Sequence, residues 1–167
     1  MEVFEAVRTV LAVRGYRDRQ VPAQVRDRVI EAGRLAGSSM NRQPWHFIVV
    51  EERGTLRQLA TIMTSGPYIA DASFAVVDAI EVASAHAVSD ASRAIQNMIL
   101  AAWADGVGSN WVGFGPLPEV QRLLGLPNTH SALAVVPFGY PSAPIGRGTK
   151  ERKPLGAVAS RERFGTP

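Results

Sequence analysis

The run Asp90–Gly106, DASRAIQNMILAAWADG, most constrains what this chain can fold into. Its apolar residues Ile95, Met98, Ile99, Ala102 and Trp103 cover more than one stripe of a helix, whereas a surface helix needs only one. Such a helix must be packed on more than one side, so it is either central to the domain or part of an interface. Asp90 suits its N-terminus and Gly106 its C-terminal cap. The 167 residues allow one domain with a real core and not two.

The other segments read as follows. Val3, Val7, Val10 and Leu11 form the stripe of a first helix, which RGYRDRQVP breaks. Pro22 suits the first turn of a second helix with the stripe Val25, Val29, Ala32 and Leu35, and Gly37 follows as a stop. HFIVVE predicts a strand buried on both faces. Thr55 is placed to cap a short helix through Met63, SGPY is a turn, and SFAVVDAIE a second strand. Asp78 within that strand fits an edge or dimer-facing position, because a buried carboxylate is costly unless paired. GSNWVGF predicts a third short strand, LPEVQRLLG a short helix with Pro118 in its first turn, and SALAVVPFGYP a fourth strand ended by Pro141. Helices and strands do not alternate strictly, which predicts an α+β fold with a mixed sheet. Residues 1–145 form the single domain on this reading, and 146–167, rich in Gly, Pro and charge, an extended arm or a disordered tail.

Composition removes whole classes of chemistry. The chain has no cysteine, which excludes disulfides, thiol nucleophiles, iron–sulfur clusters and Cys-containing zinc sites. Its three histidines, His46, His86 and His130, have neither HxxxH nor HExxH spacing, so no metal site is expected. Glu2, Glu5 and Arg8 interrupt the first helical stretch, and no apolar run approaches the roughly 20 residues of a membrane span. A cytoplasmic protein is the expectation. The net charge of +3 is modest, and nearly all the basic groups are arginines, concentrated in Arg14–Arg28 and Gly146–Lys153. Guanidinium suits bidentate binding of phosphate or carboxylate. Aromatic interleaving of the base-stacking kind is missing, which ranks a small anionic ligand above nucleic acid; a basic interaction protein is the reading from a different class. There is no GxGxxG, P-loop or GxSxG.

Four constellations remain, each with an ordinary structural alternative. VRGYRDR places Arg14, Arg17 and Arg19 after a helix, to hold a phosphate or an electron-rich ring, or as a solvated basic loop. GSSMNRQPW offers the hydroxyls of Ser38 and Ser39 and the amides of Asn41 and Gln43, or a helix cap followed by an Asx-type turn. DGVGSNWVGFG leaves a helix through two glycines where a ligand could lie on bare backbone, or makes a turn with a core tryptophan. RGTKERKP sets Lys150 and Arg152 two residues apart, able to point the same way toward one phosphate, or to be solvated in a tail.

Their order resembles that of the FMN-dependent nitroreductase family. From Val3 to Leu155 the chain runs helix, Arg-containing turn, helix, S-S-x-N-x-Q-P-W before an apolar strand, a helix with N-x-x-L-A-A ending in G-x-G-S, then G-Y-P and K-x-R-x-P. SSMNRQPW at 38–45 is the most specific part. The resemblance implies a three-layer α+β fold, a central mixed or antiparallel sheet flanked by helices, and a homodimer with two FMN sites at the interface, each lined by both chains. It implies that Ser38, Ser39, Asn41 and Gln43 are polar contacts to flavin, that Arg14 lies beside the pyrimidine end of the ring, and that Val112 and Gly113 present backbone N–H to the flavin N5. Lys150 and Arg152 are by the same resemblance the phosphate-binding pair. The implied activity is an NAD(P)H oxidoreductase: hydride passes from NADH or NADPH to N5, and a nitroaromatic, quinone or related small-molecule acceptor is then reduced in the same slot. The flavin does the chemistry, so no side chain is assigned as catalytic and no metal is required.

The chain departs from that pattern in the turn before Arg14. Relatives carry Arg-x-Ser or Arg-Arg-Ser there to hold the phosphate, where this chain has Val10, Leu11 and Ala12. Losing a charge-assisted contact typically removes about 1.5–3 kcal/mol, with Arg8, Arg17, Lys150 and Arg152 available to compensate. The alternative is a non-catalytic flavin-binding or sequestering dimer with an altered phosphate site. Only AHAVS separates the second strand from the long helix where larger relatives insert covering helices, which predicts an open site and a broad acceptor range.

Overall fold

The computed structural model describes residues 1–144 and 150–166. Strands form at Trp45–Val50 (β1), Phe74–Glu81 (β2), Gly108–Ser109 (β3) and His130–Gly139 (β4). Helices form at Val3–Thr9 (α1), Ala23–Arg34 (α2), Arg53–Ile62 (α3), Ala87–Ala104 (α4) and Pro118–Leu124 (α5). The strands pair in the order β1-β2-β4-β3 and every ladder is antiparallel, so the sheet is not mixed. Among the described residues the one parallel contact is an isolated bridge between Ala12 and Ser109.

Alternation along β2 divides the core into two layers. Phe74, Val76 and Ile80 face α2 and α4, where they pack with Val29, Ile95, Met98 and Phe138. Ala75 and Val77 face the other way, onto Leu56 and Leu59 of α3 and Val120 of α5. Phe74 lies opposite Phe138 in register, and their rings stack with centroids 4.9 Å apart. The long helix is buried at seven positions that fall on one face, and it packs beside α2 in the layer against the sheet. No helix among the described residues is long and apolar enough to cross a membrane.

Several local expectations are corrected. β1 is an edge strand and only Val50 is fully buried, because β2 covers one of its edges alone. The cap of α3 is Glu52, whose carboxylate accepts from the Gly54 and Thr55 N–H groups at 2.9 and 2.6 Å; Thr55 receives the cap instead of supplying it. GSNWVGF forms only the two residues of β3 before Gly113 turns the chain at φ +77°. Asp78 is neither at an edge nor facing out. It is fully buried at the centre of β2, beside a bulge against β4, and neither carboxylate oxygen has a hydrogen-bond partner among the described residues. Burial pushes this carboxyl well above the usual range. Within the C-terminal arm, Leu155–Ala157 makes a 3₁₀ turn and Leu155, Val158 and Phe164 are exposed. The expected domain boundary at 145/146, and the Gly146–Thr149 part of the basic segment, lie outside the described residues.

Candidate functional site

The turn after α1 is fastened to the sheet by backbone and packing. The Val13 N–H donates to the Ser109 carbonyl at 2.9 Å, and Val13 presses onto Gly108, where any Cβ would come within 2.3 Å of Val13 Cγ2. Tyr16 is buried beneath, with the Val13 and Pro137 carbonyls 3.0 and 3.1 Å from its hydroxyl; burial and the neighbouring Tyr68 push its phenol upward. On the helix side, the Trp103 indole N–H donates to the Thr9 hydroxyl at 2.9 Å and ties α1 to α4.

Between these supports opens a groove of about 830 Å³, within the range of small-molecule and cofactor sites. Its walls are Val10, Leu11 and Ala12 of the turn, Gln96 and Ile99 of α4, and Ser109, Asn110 and Trp111 leaving β3. Arg8, Lys150 and Arg152 stand at its basic side. Lys150 Nζ donates to the Val7 carbonyl at 2.6 Å, one of the carbonyls a helix end leaves open. Desolvation, and then the adjacent Arg152 charge, lower the Lys150 ammonium below its ordinary value. Arg8 is held bidentately by Glu5, with contacts of 2.8–3.0 Å. Trp111 donates its indole N–H to the Gly113 carbonyl and stacks on the exposed Phe114 ring, and the Asn110 amide donates to the Tyr68 hydroxyl.

The segment Ser38–Gln43 is equally well defined but lies elsewhere. The Ser39 N–H donates at 3.0 Å to Asp90, which is buried in the first turn of α4 and also paired with Arg93. Ser38 Oγ accepts from the Gln43 N–H at 2.9 Å, and the Gln43 side-chain amide donates to the Asn41 carbonyl. Met40, Asn41 and Gln43 all have left-handed backbone, with φ of 51°, 55° and 52°, a clustering of unfavourable conformations typical of functional segments. The groove borders α4 at Gln96 and Ile99, six to nine residues further along than Asp90, or roughly 9–14 Å at the helical rise.

Within one chain, then, the structure joins Lys150 and Arg152 to the apolar turn, and it does not bring Ser38, Ser39, Asn41 and Gln43 to them. Arg14 follows the turn as an exposed side chain and does not line the groove. Val112 is buried and exchanges both backbone hydrogen bonds with Val135, so of the pair 112–113 only the Gly113 N–H is unengaged among the described residues. Asn110 and Trp111 belong to the DGVGSNWVGFG segment read as a possible ligand surface, whereas Gln96 and Ile99 were not assigned to a site from sequence; their i, i+3 spacing on α4 was the available signal.

Comparison with known proteins identifies the family and the fold. The nitroreductase family model matches two overlapping segments, residues 8–87 and 68–140. A Methanothermobacter thermautotrophicus protein named "Putative NADH dehydrogenase/NAD(P)H nitroreductase" is 34% identical over 150 residues, covering 85% of this chain and 78% of that protein. The crystal structure of a protein of the same name from Parabacteroides distasonis superposes with a TM-score of 0.88 at 30% identity, covering 97% of this chain and 98% of the other. A Clostridium difficile FMN-dependent nitroreductase shares the fold at 23% identity and a TM-score of 0.81, over 93% and 94% of the two chains. By its matched segments and its relatives, this chain belongs to the nitroreductase family.

Proposed function

We propose that the protein is an FMN-dependent NAD(P)H oxidoreductase that reduces nitroaromatics, quinones or related planar acceptors, and that it works as a homodimer with the flavin between protomers. One observation carries the reading: a single groove joins adjacent lysine and arginine side chains to an apolar and aromatic wall, the combination a phosphorylated planar ring requires. The residues fit the group. The negative charge of a dianionic phosphate beside Lys150 and Arg152 would offset the desolvation and the like-charge repulsion that lower the Lys150 ammonium. Ile99 and Trp111 supply apolar surface for a ring, and the Gly113 N–H is a donor not claimed by the sheet.

FMN, when bound, supplies reversible two-electron acceptance at its ring. The chain's task is to hold the phosphate, orient the ring and leave one face open to donor and acceptor in turn. Arg14 would add positive charge near the ring. Ser38, Ser39, Asn41 and Gln43, presented at the far end of α4, would reach the groove of the second protomer. The exposed Leu155, Val158 and Phe164 would find cover on that protomer as well.

The test is to load the purified protein with FMN, remove the excess by gel filtration, and measure retained flavin and NAD(P)H oxidation with a nitroaromatic and a quinone. Retention near one FMN per chain with acceptor-dependent oxidation is expected; a colourless, inactive protein refutes the reading. The apolar turn Val10–Ala12 favours one alternative, a flavin-binding dimer without turnover, which would retain flavin and leave NAD(P)H untouched.

A further inference from the structure

We propose that Arg8 is a third cation of the phosphate site, taking over from the apolar turn, and that Glu5 sets how strongly the site distinguishes a phosphorylated ligand from its unphosphorylated form. The proposal rests on the groove being the flavin site. Val10, Leu11 and Ala12 offer no side-chain donor where the groove meets α1, and Arg8 is the cation of α1 on its wall. Lys150 Nζ is fixed to the carbonyl of Val7, the residue before Arg8, which brings the C-terminal cations to the same end of the helix.

Arg8 is engaged with Glu5, but by a pair open to exchange. The two side chains are 51% and 35% exposed and three residues apart on a seven-residue helix. Solvated pairs of this kind are weak, and a dianionic phosphate with neighbouring cations competes well for a guanidinium fork. Glu5 has somewhere to go. It also lines a second cavity of about 610 Å³ on the other side of α1, together with Arg17 and Arg19, neither of which has a carboxylate partner among the described residues. Arrival of a phosphate at Arg8 and transfer of Glu5 toward that cavity are thus compatible movements of two exposed side chains. Glu5 acts as an internal competitor, and its removal leaves Arg8 unopposed.

The experiment is equilibrium titration of the full-length protein with FMN and, separately, riboflavin, for wild type, Arg8→Gln, Arg8→Lys and Glu5→Gln. Arg8→Gln should weaken FMN roughly tenfold and leave riboflavin within about twofold, the signature of a lost phosphate contact. Arg8→Lys should recover part of the loss, and Glu5→Gln should tighten FMN several-fold with riboflavin unchanged. Changes that move FMN and riboflavin equally, or that move neither, overturn the role of Arg8. A wild-type protein that binds riboflavin and FMN with the same affinity also overturns it while sparing the flavin site. Failure to bind either flavin removes the underlying reading and this proposal with it.

Discussion

The buried carboxylate of Asp90 receives the backbone N–H of Ser39 at 3.0 Å, so the first turn of the long helix holds the most distinctive loop of the chain in place. Arg93, one turn on, completes the pair. Asp90→Ala should cost about 1–3 kcal/mol, because the Ser39 amide loses its acceptor while Arg93 loses its partner. Urea denaturation measures the loss, and faster hydrogen exchange at the Ser39 amide would localise it. Unchanged exchange there would mean that the loop is held by its own turn hydrogen bonds.

Asp78 makes stability depend on pH in an unusual direction. Its folded-state pKa is raised, so the folded protein keeps a proton that the unfolded chain gives up above about pH 4. Its contribution is therefore fully present below the unfolded value and is lost as pH rises toward the folded one, at about 1.4 kcal/mol per pH unit within that window. Asp78→Asn should flatten the urea midpoint between pH 5 and pH 8, and Asp78→Val should raise it at pH 8. A wild-type midpoint independent of pH over that range would contradict the raised folded-state pKa.

Gly108 is set by contact and not by turn geometry. Gly108→Ala should destabilise by about 1–3 kcal/mol, since the new methyl meets Val13 and pushes the turn over the groove. Val13→Ala in the same chain should recover part of the loss, and the double-mutant cycle by denaturation gives the coupling.

If each site draws on two protomers, two damaged chains can repair each other. A Lys150→Ala/Arg152→Ala chain and a Ser38→Ala/Asn41→Ala chain should each retain little FMN alone, whereas refolding them together should restore one intact site per heterodimer. Gel filtration with flavin absorbance reads the outcome. No gain on mixing would place both groups of residues in the same protomer's site, or outside it.

Much of this architecture was legible in local pattern, where the pattern reports directly on packing. The apolar spread of Asp90–Gly106 predicted a central or interface helix; within one chain α4 buries a single stripe through Ala91, Ile95, Met98 and Ala102 and leaves Ile99 and Trp103 half-buried. The apolar run from Ser131 to Phe138 became the long strand β4, and Lys150 and Arg152 proved to share one wall. What was missed depends on order in space. HFIVVE reads the same whether its strand is central or marginal, and only the order β1-β2-β4-β3 makes it marginal. The same order encloses Asp78, which the cost of a buried carboxylate had assigned to an edge or dimer-facing position. The cap of α3 shifted to Glu52 because its longer side chain reaches two N–H groups that Thr55, itself one of the two, cannot satisfy. For the site, Ser38–Gln43 stood out by residue type, yet residue type does not say that it lies far along α4 from the groove.

Met40, Asn41 and Gln43 carry a kinetic consequence. Left-handed backbone costs a non-glycine residue roughly 1–2 kcal/mol, and here three such residues are held within four positions by Asp90, Ser38 and the following strand. Contacts within the chain therefore specify the shape of the loop, and any binding to it would demand little further ordering. If Ser38–Gln43 completes the proposed flavin site of a second protomer, a preformed loop of this kind would favour rapid, reversible association, and a partner molecule that lacks a phosphate should come and go quickly over the same surface.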